Sequence, residues 1–342
     1  MMTKDIELRN KKFNLGIELL RFVLCVWVVI IHCSNIKKKD EKYFGRGFHV
    51  PTFILISFYF YYPLIEKRKI IKILFRFQRL LYPYILWPII IFILNNFVSV
   101  NIPKEQINRK LNINDFYVQV LIGTRYHVLF WFLFNLLFLS VFITIIAFIF
   151  KKKFLVVMKL LGTFCLYIHF SGINVKLFFL FHRYFRIPLG SLAELMPLAV
   201  IGSIFSSNNL LLKLNNPPFH LYLIYIFLIY LLFEYNLFIY YKGCIYPNIL
   251  LNITASSILF ISFGTLNYNR LIMVNSIIKY ITKYTGGIYY IHPIIRNYLR
   301  KYFIFFQNKS YFSSFIIYII NYFICFIGSK TFQNNKIKYL FI

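Results

Sequence analysis

The first apolar segment of the chain places acidic, basic, thiol and imidazole groups on one side of a helix. Residues spaced by three and four positions share a helical face. Five residues follow one another at these spacings: Glu18, Arg21, Cys25, Val28 and His32. Imidazole titrates near neutral pH, and guanidinium binds anions through paired N–H groups. This face therefore predicts proton-transfer and anion-binding chemistry within an apolar segment.

The two ends of this face are well separated. His32 follows Arg21 by eleven positions, which is three turns, or about 16 Å along a helix axis. A charged side chain at bilayer depth is costly and usually faces a polar cavity or a partner, which favours a functional role. The alternative is a local ion pair between Glu18 and Arg21, with His32 as an ordinary residue of the membrane interface.

A second basic pair, Arg76 and Arg79, leads into the third apolar segment. Their i,i+3 spacing places both guanidinium groups on one side of a helix end, where they suit phosphate oxygens. Considered alone, the pair is explained more simply as a positive-inside anchor. Pro83 and Pro88 fall in the first turns of the segment, where a proline is tolerated or bends the helix.

The elements that must hold these residues are membrane helices. Hydrophobic residues make up 60% of the 342 residues, the mean hydropathy is +0.67, and the 14% that are charged are too few to coat a soluble protein of this size. Apolar stretches of about 20 residues, the length of a spanning helix, recur throughout. We predict an all-α, polytopic integral membrane bundle of about ten transmembrane helices that forms one domain over residues 1–342. The predicted spans lie near 14–34, 48–64, 80–98, 129–150, 154–170, 187–206, 219–241, 245–265, 276–298 and 311–329.

The chain is strongly basic, with 39 Lys and Arg against 10 Asp and Glu and a net charge of +29. Because the basic residues lie in short clusters between apolar segments, anionic lipids and phosphorylated ligands are the expected partners, and nucleic acid is not. Dense clusters at 67–79 and 151–153 predict cytoplasmic turns and cytoplasmic termini, although the lysines at 37–39 then lie outside. The five cysteines have no spacing typical of a disulfide framework or metal site.

Six features occur in a fixed order along most of the chain. They are Arg21 with His32, VPTFILIS (50–57), Arg76 and Arg79 leading into Leu-x-Pro-Tyr (81–84), HVLFWFLFNLL (127–137), IPLGSLAELMPLAVIGSIF (187–205) and IYYIHPII (288–295). In this combination the sequence resembles the acyltransferase-3 family of multi-spanning membrane O-acyltransferases. One departure is Phe58, which stands after Ser57 where the family often has glycine. We therefore expect less close packing at that point.

The resemblance implies transfer of an acyl group, usually acetyl from acetyl-CoA, to a hydroxyl of a glycan or glycolipid on the far side of the cell membrane. A thioester is already activated, so the protein must position the alcohol, remove its proton and stabilise the oxyanion. His32 is then expected to be the base or a transient acyl carrier, and Arg21 to bind a CoA phosphate or the thioester region. Arg76 and Arg79 are expected to bind CoA phosphates. No metal is expected, and the acceptor and the oligomeric state stay open.

Glu194 is the other acidic residue within an apolar segment. It could orient His32 or bind a sugar hydroxyl. An internal ion pair with Arg183 or Arg186 is an equal alternative.

Two further histidines rank below His32. His127 precedes an apolar segment, where histidines often simply lie at the membrane interface. His292 stands beside Pro293 and is interpreted as structural. The remaining histidines have no partner at a useful spacing: His49, His169, His182 and His220.

Two other functions are compatible with a membrane protein. Asp40 and Glu41, in the first outer loop, would suit a glycosyltransferase that uses a polyprenyl-linked sugar, although a solvated charge cluster explains them more simply. A transporter would require inverted repeats and paired broken helices. A single glycine-interrupted segment is evident, which makes a transporter the weaker alternative.

Overall fold

The structure is a computed structural model that describes residues 14–33, 49–97, 130–171, 189–213, 223–224, 226–227, 249–265, 272–307, 311–333 and 336–341. Every regular element in these residues is helical, and they contain no β-strand, which confirms the all-α prediction for this part of the chain. The helices, numbered in chain order, are α1 (Leu15–Cys33), α2 (His49–Glu66), α3 (Ile70–Phe97), α4 (Phe130–Phe150), α5 (Phe154–Phe170), α6 (Leu189–Ser207), α7 (Leu210–Lys213), α8 (Ile249–Gly264), α9 (Ile272–Thr282), α10 (Thr285–Tyr302), α11 (Ile304–Gln307) and α12 (Tyr311–Thr331).

Three helical stretches of the described residues are long and apolar enough to cross a membrane: Leu15–Cys33, Phe132–Phe170 and Tyr311–Thr331. Shorter apolar helices cover Ala193–Ser207 and Asn252–Gly264. The predicted span at 219–241 lies almost entirely outside the described residues. The number of crossings, about ten, therefore stays a prediction.

Two tight basic turns join consecutive helices. Residues 67–69 connect α2 to α3, and a 3-10 turn at Lys151–Lys153 connects α4 to α5. Arg68 and Lys151 have positive φ angles of 47° and 46°, a conformation in which a helix cannot continue. Each of the two clusters that predicted the membrane orientation thus contains an exposed helix-to-helix turn.

The predicted span at 276–298 is not a single helix. α9 ends at Thr282 and α10 begins at Thr285, so the interruption comes just before the two glycines of this segment. The Thr285 hydroxyl donates a hydrogen bond of 3.0 Å to the Thr282 carbonyl oxygen. A threonine hydroxyl that bonds a nearby carbonyl in this way offers the backbone an alternative to a continuous helix.

Helix α1 lies at the centre of one packing unit, in contact with α2, α8, α9, α10 and α12. A Cβ atom added at Gly16 would collide with the carbonyl of Phe263 on α8, so the two backbones approach closely there. In a second group of contacts α6 packs against α2 and α5, and Gly202 of α6 meets the Leu55 carbonyl of α2 in the same way. Small residues permit such close helix contacts in membranes.

Candidate active site

Glu18 and Arg21 form the ion pair that the spacing of α1 allowed. Nη1 of Arg21 donates to both carboxylate oxygens of Glu18, at 3.0 and 2.9 Å. The Arg21 side chain is still 34% exposed. The local ion pair therefore holds the arginine in place and leaves the rest of its guanidinium accessible.

Arg76 of α3 is fixed against α2 by a hydroxyl and an aromatic ring. Its Nη2 donates a hydrogen bond of 2.6 Å to Oγ of Ser57, and its guanidinium carbon lies 4.3 Å from the centre of the Tyr61 ring. In the part of the chain that the structure describes, Arg76 forms no ion pair. Ser57 and Tyr61 were not predicted as site residues, although their four-residue spacing puts them on one face of α2.

Phe58 overturns the expectation of loose packing at this point. Its side chain is fully buried, and the guanidinium of Arg76 lies 6.0 Å from the centre of its ring. The aromatic ring fills space that a glycine would leave between helices, so the departure from the family pattern gives a closed contact.

The three arginines predicted to bind the donor are linked electrostatically. The positive charges of Arg79 and Arg21 both act on Arg76. The same two charges act on the phenol of Tyr290, which projects from α10. Arg79 itself is exposed. We call Arg21, Arg76 and Arg79 the arginine cluster; α1 supplies one member and α3 the other two.

His32 lies in the last turn of α1, at the opposite end from Arg21. The side chain is half-buried, and its ring centre lies 5.6 Å from that of His292, with the two rings tilted by 31°. His292 is fully buried, with Nδ1 3.2 Å from the carbonyl oxygen of Ile288. His49 at the start of α2 is close enough for its charge to interact with His32. The sequence indicated a structural role for His292 and no partner for His49, yet both are neighbours of His32.

Two arginines of α10 reach the backbone at the end of α1. Nη1 of Arg296 donates a hydrogen bond of 2.7 Å to the His32 carbonyl oxygen, and Nη2 of Arg300 donates to the carbonyl oxygen of Cys33. Neither arginine was predicted as a site residue. A signal was available, because His292, Arg296 and Arg300 are spaced by four and share one face of a helix.

Glu194 is not joined to this region by any described contact. It lies exposed on α6, and among the described residues it forms no hydrogen bond or ion pair, including none with His32. Arg183 and Arg186 lie outside the described residues. Its predicted role as an orienting or sugar-binding residue stays a prediction.

Several other candidates lie outside the described residues: Asp40, Glu41, His127, His182 and His220. No group of three or more His, Cys, Asp or Glu side chains in the described part of the chain is arranged to hold a metal ion. The arrangement that remains combines the arginine cluster towards one end of α1 with the His32 imidazole at the other end.

Comparison with known proteins identifies one family. A family described as "Acyltransferase domain" matches residues 14–332, which is nearly the whole chain. No curated protein and no solved structure resembles the chain closely enough to count as a match. The matched range includes His32, the arginine cluster and the arginines of α10.

Proposed function

This membrane protein belongs to the acyltransferase-3 family, and we propose that it transfers an acetyl group from cytoplasmic acetyl-CoA to a hydroxyl of an extracytoplasmic polysaccharide or glycolipid. The observation that carries this proposal is the distribution of charge along α1. Arg21 lies near one end of the helix with Arg76 and Arg79, and His32 lies in the last turn at the other end. A donor from one side of the membrane and an acceptor from the other side can meet along such a helix.

The arginine cluster is proposed to bind the phosphate groups of CoA. Arg76 supports this role because its guanidinium is held by a hydroxyl and a ring, with no carboxylate from the described residues to neutralise it. A desolvated guanidinium in that environment favours an anionic ligand, and its planar fork matches phosphate oxygens. Arg21, held by Glu18, would contact the donor further along α1.

His32 is proposed to take the proton of the acceptor hydroxyl. As that oxygen attacks the thioester carbonyl carbon, a new C–O bond forms and the hydroxyl proton moves to the imidazole. The C–S bond then breaks, and the proton returns to the departing CoA thiolate. In the alternative use of the same residue, the imidazole carries the acyl group itself for part of the cycle. Both versions require His32 to be neutral when the donor arrives.

The protein is proposed to lie in the plasma or inner membrane and to cross it about ten times, with both termini in the cytoplasm. This orientation puts the arginine cluster on the CoA side and His32 towards the far side. The two basic turns between α2 and α3 and between α4 and α5 support it.

Membrane vesicles of defined sidedness test the proposal. Acetyl-CoA labelled in the acetyl group does not cross membranes, so inside-out vesicles should incorporate label into their glycan and glycolipid fraction. Intact right-side-out vesicles should not. Labelling of right-side-out vesicles alone would contradict the proposed donor side. No labelling in either preparation, although the protein accumulates in the membrane, would contradict the proposed acceptor class. Vesicles that contain the His169→Gln variant, altered on α5 away from the site, serve as the positive control.

A further inference from the structure

The C-terminal end of α1 is closed by side chains from α10. The last turn of a helix leaves carbonyl oxygens without a partner in the helix itself. Within a membrane protein, such groups are costly unless another group bonds them. Here Arg296 bonds the carbonyl oxygen of His32 and Arg300 bonds that of Cys33. Both acceptors belong to the final two residues of α1.

The position of Arg296 is itself constrained. The side chain is 6% exposed, and its Nε donates a hydrogen bond of 3.0 Å to Oδ1 of the neighbouring Asn297. This second bond restricts rotation of the guanidinium plane. The positive charge also lies at the negative end of the α1 helix dipole, where a cation is stabilising. Arg296 therefore combines a hydrogen bond, a favourable charge and a fixed orientation at one backbone atom.

The same helix contacts the backbone and the ring of His32. The pairs Cys25 with Thr285 and His32 with His292 show that α1 and α10 run parallel along their contact. One turn beyond His292, Arg296 reaches the His32 carbonyl. The imidazole direction depends on the backbone that carries it, so a helix end that frays would also release the ring from its neighbour.

We propose that Arg296, assisted by Arg300, is a positioning residue that fixes the last turn of α1 and so holds the His32 imidazole in its reactive direction. The proposal rests on the proposed function of His32. Arg296 bonds a backbone oxygen of the candidate base, so its effect on the reaction passes through His32. Displacement of a catalytic group by about 1 Å can reduce turnover on the order of 10²-fold.

The test compares Arg296→Gln and Arg296→Lys with Lys301→Gln, a matched change on the exposed side of the same helix end. Transfer of label from acetyl-CoA to the membrane glycan fraction gives kcat and the KM for acetyl-CoA. Carbethoxylation of His32 by diethyl pyrocarbonate, followed by mass spectrometry, reports the exposure of the ring independently of activity. His32→Ala is measured in parallel.

Arg296→Gln should lower kcat by about 10²-fold with little change in the KM for acetyl-CoA, since the donor site is at the other end of α1. His32 should become carbethoxylated faster. Arg296→Lys, which keeps the charge and a donor, should recover much of the lost turnover, and Lys301→Gln should match the unmodified protein.

Unchanged turnover and unchanged His32 labelling in Arg296→Gln would overturn the proposal. A KM for acetyl-CoA that rises in step with a fall in kcat would also overturn it, because that result indicates an effect on the donor site and not on His32 alone. Should Arg296→Gln fail to accumulate, Arg300→Gln decides, because it removes the bond to the Cys33 carbonyl oxygen. Wild-type His32 labelling together with wild-type turnover in Arg300→Gln would count against the positioning role. If Arg296→Gln is fully active and His32→Ala is inactive, the positioning role is rejected and the proposed function stands. If His32→Ala is itself active, the proposed function of His32 is rejected as well.

Discussion

Arg76 of α3 and Ser57 of α2 are joined by a hydrogen bond of 2.6 Å between a guanidinium nitrogen and a hydroxyl oxygen. Ser57→Ala removes the acceptor and frees the guanidinium to move. Hydrogen bonds to charged groups contribute about 1.5–3 kcal/mol, so the KM for acetyl-CoA should rise on the order of tenfold with little change in kcat. Steady-state kinetics measure this. The control is Ser207→Ala, because the Ser207 hydroxyl bonds a carbonyl of its own helix. An unaltered KM for acetyl-CoA in Ser57→Ala would argue against a donor-binding role for Arg76.

The double variant Arg76→Lys with Arg79→Lys keeps the positive charge at the start of α3 but removes both planar forks. Affinity for acetyl-CoA should fall while membrane orientation is retained, because lysine supplies charge without the bidentate geometry. Equilibrium binding of labelled acetyl-CoA to purified protein is the measurement. Arg68→Lys, in the exposed basic turn just before α3, should bind acetyl-CoA as the unmodified protein does. Equal binding by all three proteins would leave Arg76 and Arg79 as a membrane anchor.

His32→Gln retains a side chain that can form hydrogen bonds but cannot take a proton. General-base assistance contributes about 10² to 10⁴-fold, so acyl transfer should fall by that order while the protein still inserts and accumulates. Turnover in purified membranes, normalised to the amount of protein, is compared with that of His169→Gln on α5. Near-normal turnover in His32→Gln would reject the mechanism and would direct attention to His292 and His127.

Membrane orientation can be tested with reporter fusions. A fusion after Lys110 should report the extracytoplasmic side, and a fusion at Ile342 should report the cytoplasm. A third fusion within the 151–153 turn should agree with the one at Ile342. The same sidedness at Lys110 and Ile342 would refute the ten-crossing arrangement.

Two glycines allow a matched test of helix packing. A methyl group at Gly202 would collide with the Leu55 carbonyl on α2, which is backbone and cannot easily move. At Gly162 the nearest atom is Cγ2 of Val200, 3.0 Å away, which is a longer approach and to a side chain instead of the backbone. Gly202→Ala should therefore cost about 1–3 kcal/mol and lower the thermal unfolding temperature, and Gly162→Ala should cost less. Equal unfolding temperatures in detergent would contradict the close approach of α6 and α2.

The sequence predicted the residues whose presence in an apolar segment is itself unusual. Arg21 and His32 stand out because a charge or a titratable ring is costly at bilayer depth, and helical periodicity predicts that they share a face. Arg76 stands out by its i,i+3 spacing from Arg79 at the start of an apolar segment. The structure adds that the charges of Arg21 and Arg79 both act on Arg76. Ser57 gave no such signal, because a serine is common in membrane helices and its partner lies on another helix.

The same reasoning could not predict contacts between helices that are distant in the sequence. Arg296 and Arg300 resemble ordinary basic residues at a helix end, and their bonds to α1 join positions more than 260 residues apart. Periodicity predicts the face of a helix but not the helix that this face meets. For the same reason His292 was ranked below His32, although the two rings are neighbours.

The bond between Arg296 and the His32 carbonyl also has a consequence for biosynthesis. The two residues are 264 positions apart, and ribosomes add about 5–20 residues per second. The end of α1 is therefore without its arginine cap for roughly 13–50 s after it is made. During that interval the nascent chain contains a membrane helix whose last carbonyls depend on other partners, such as water, lipid head groups or an insertion chaperone. Completion of the site is a late event in synthesis, set by the arrival of α10.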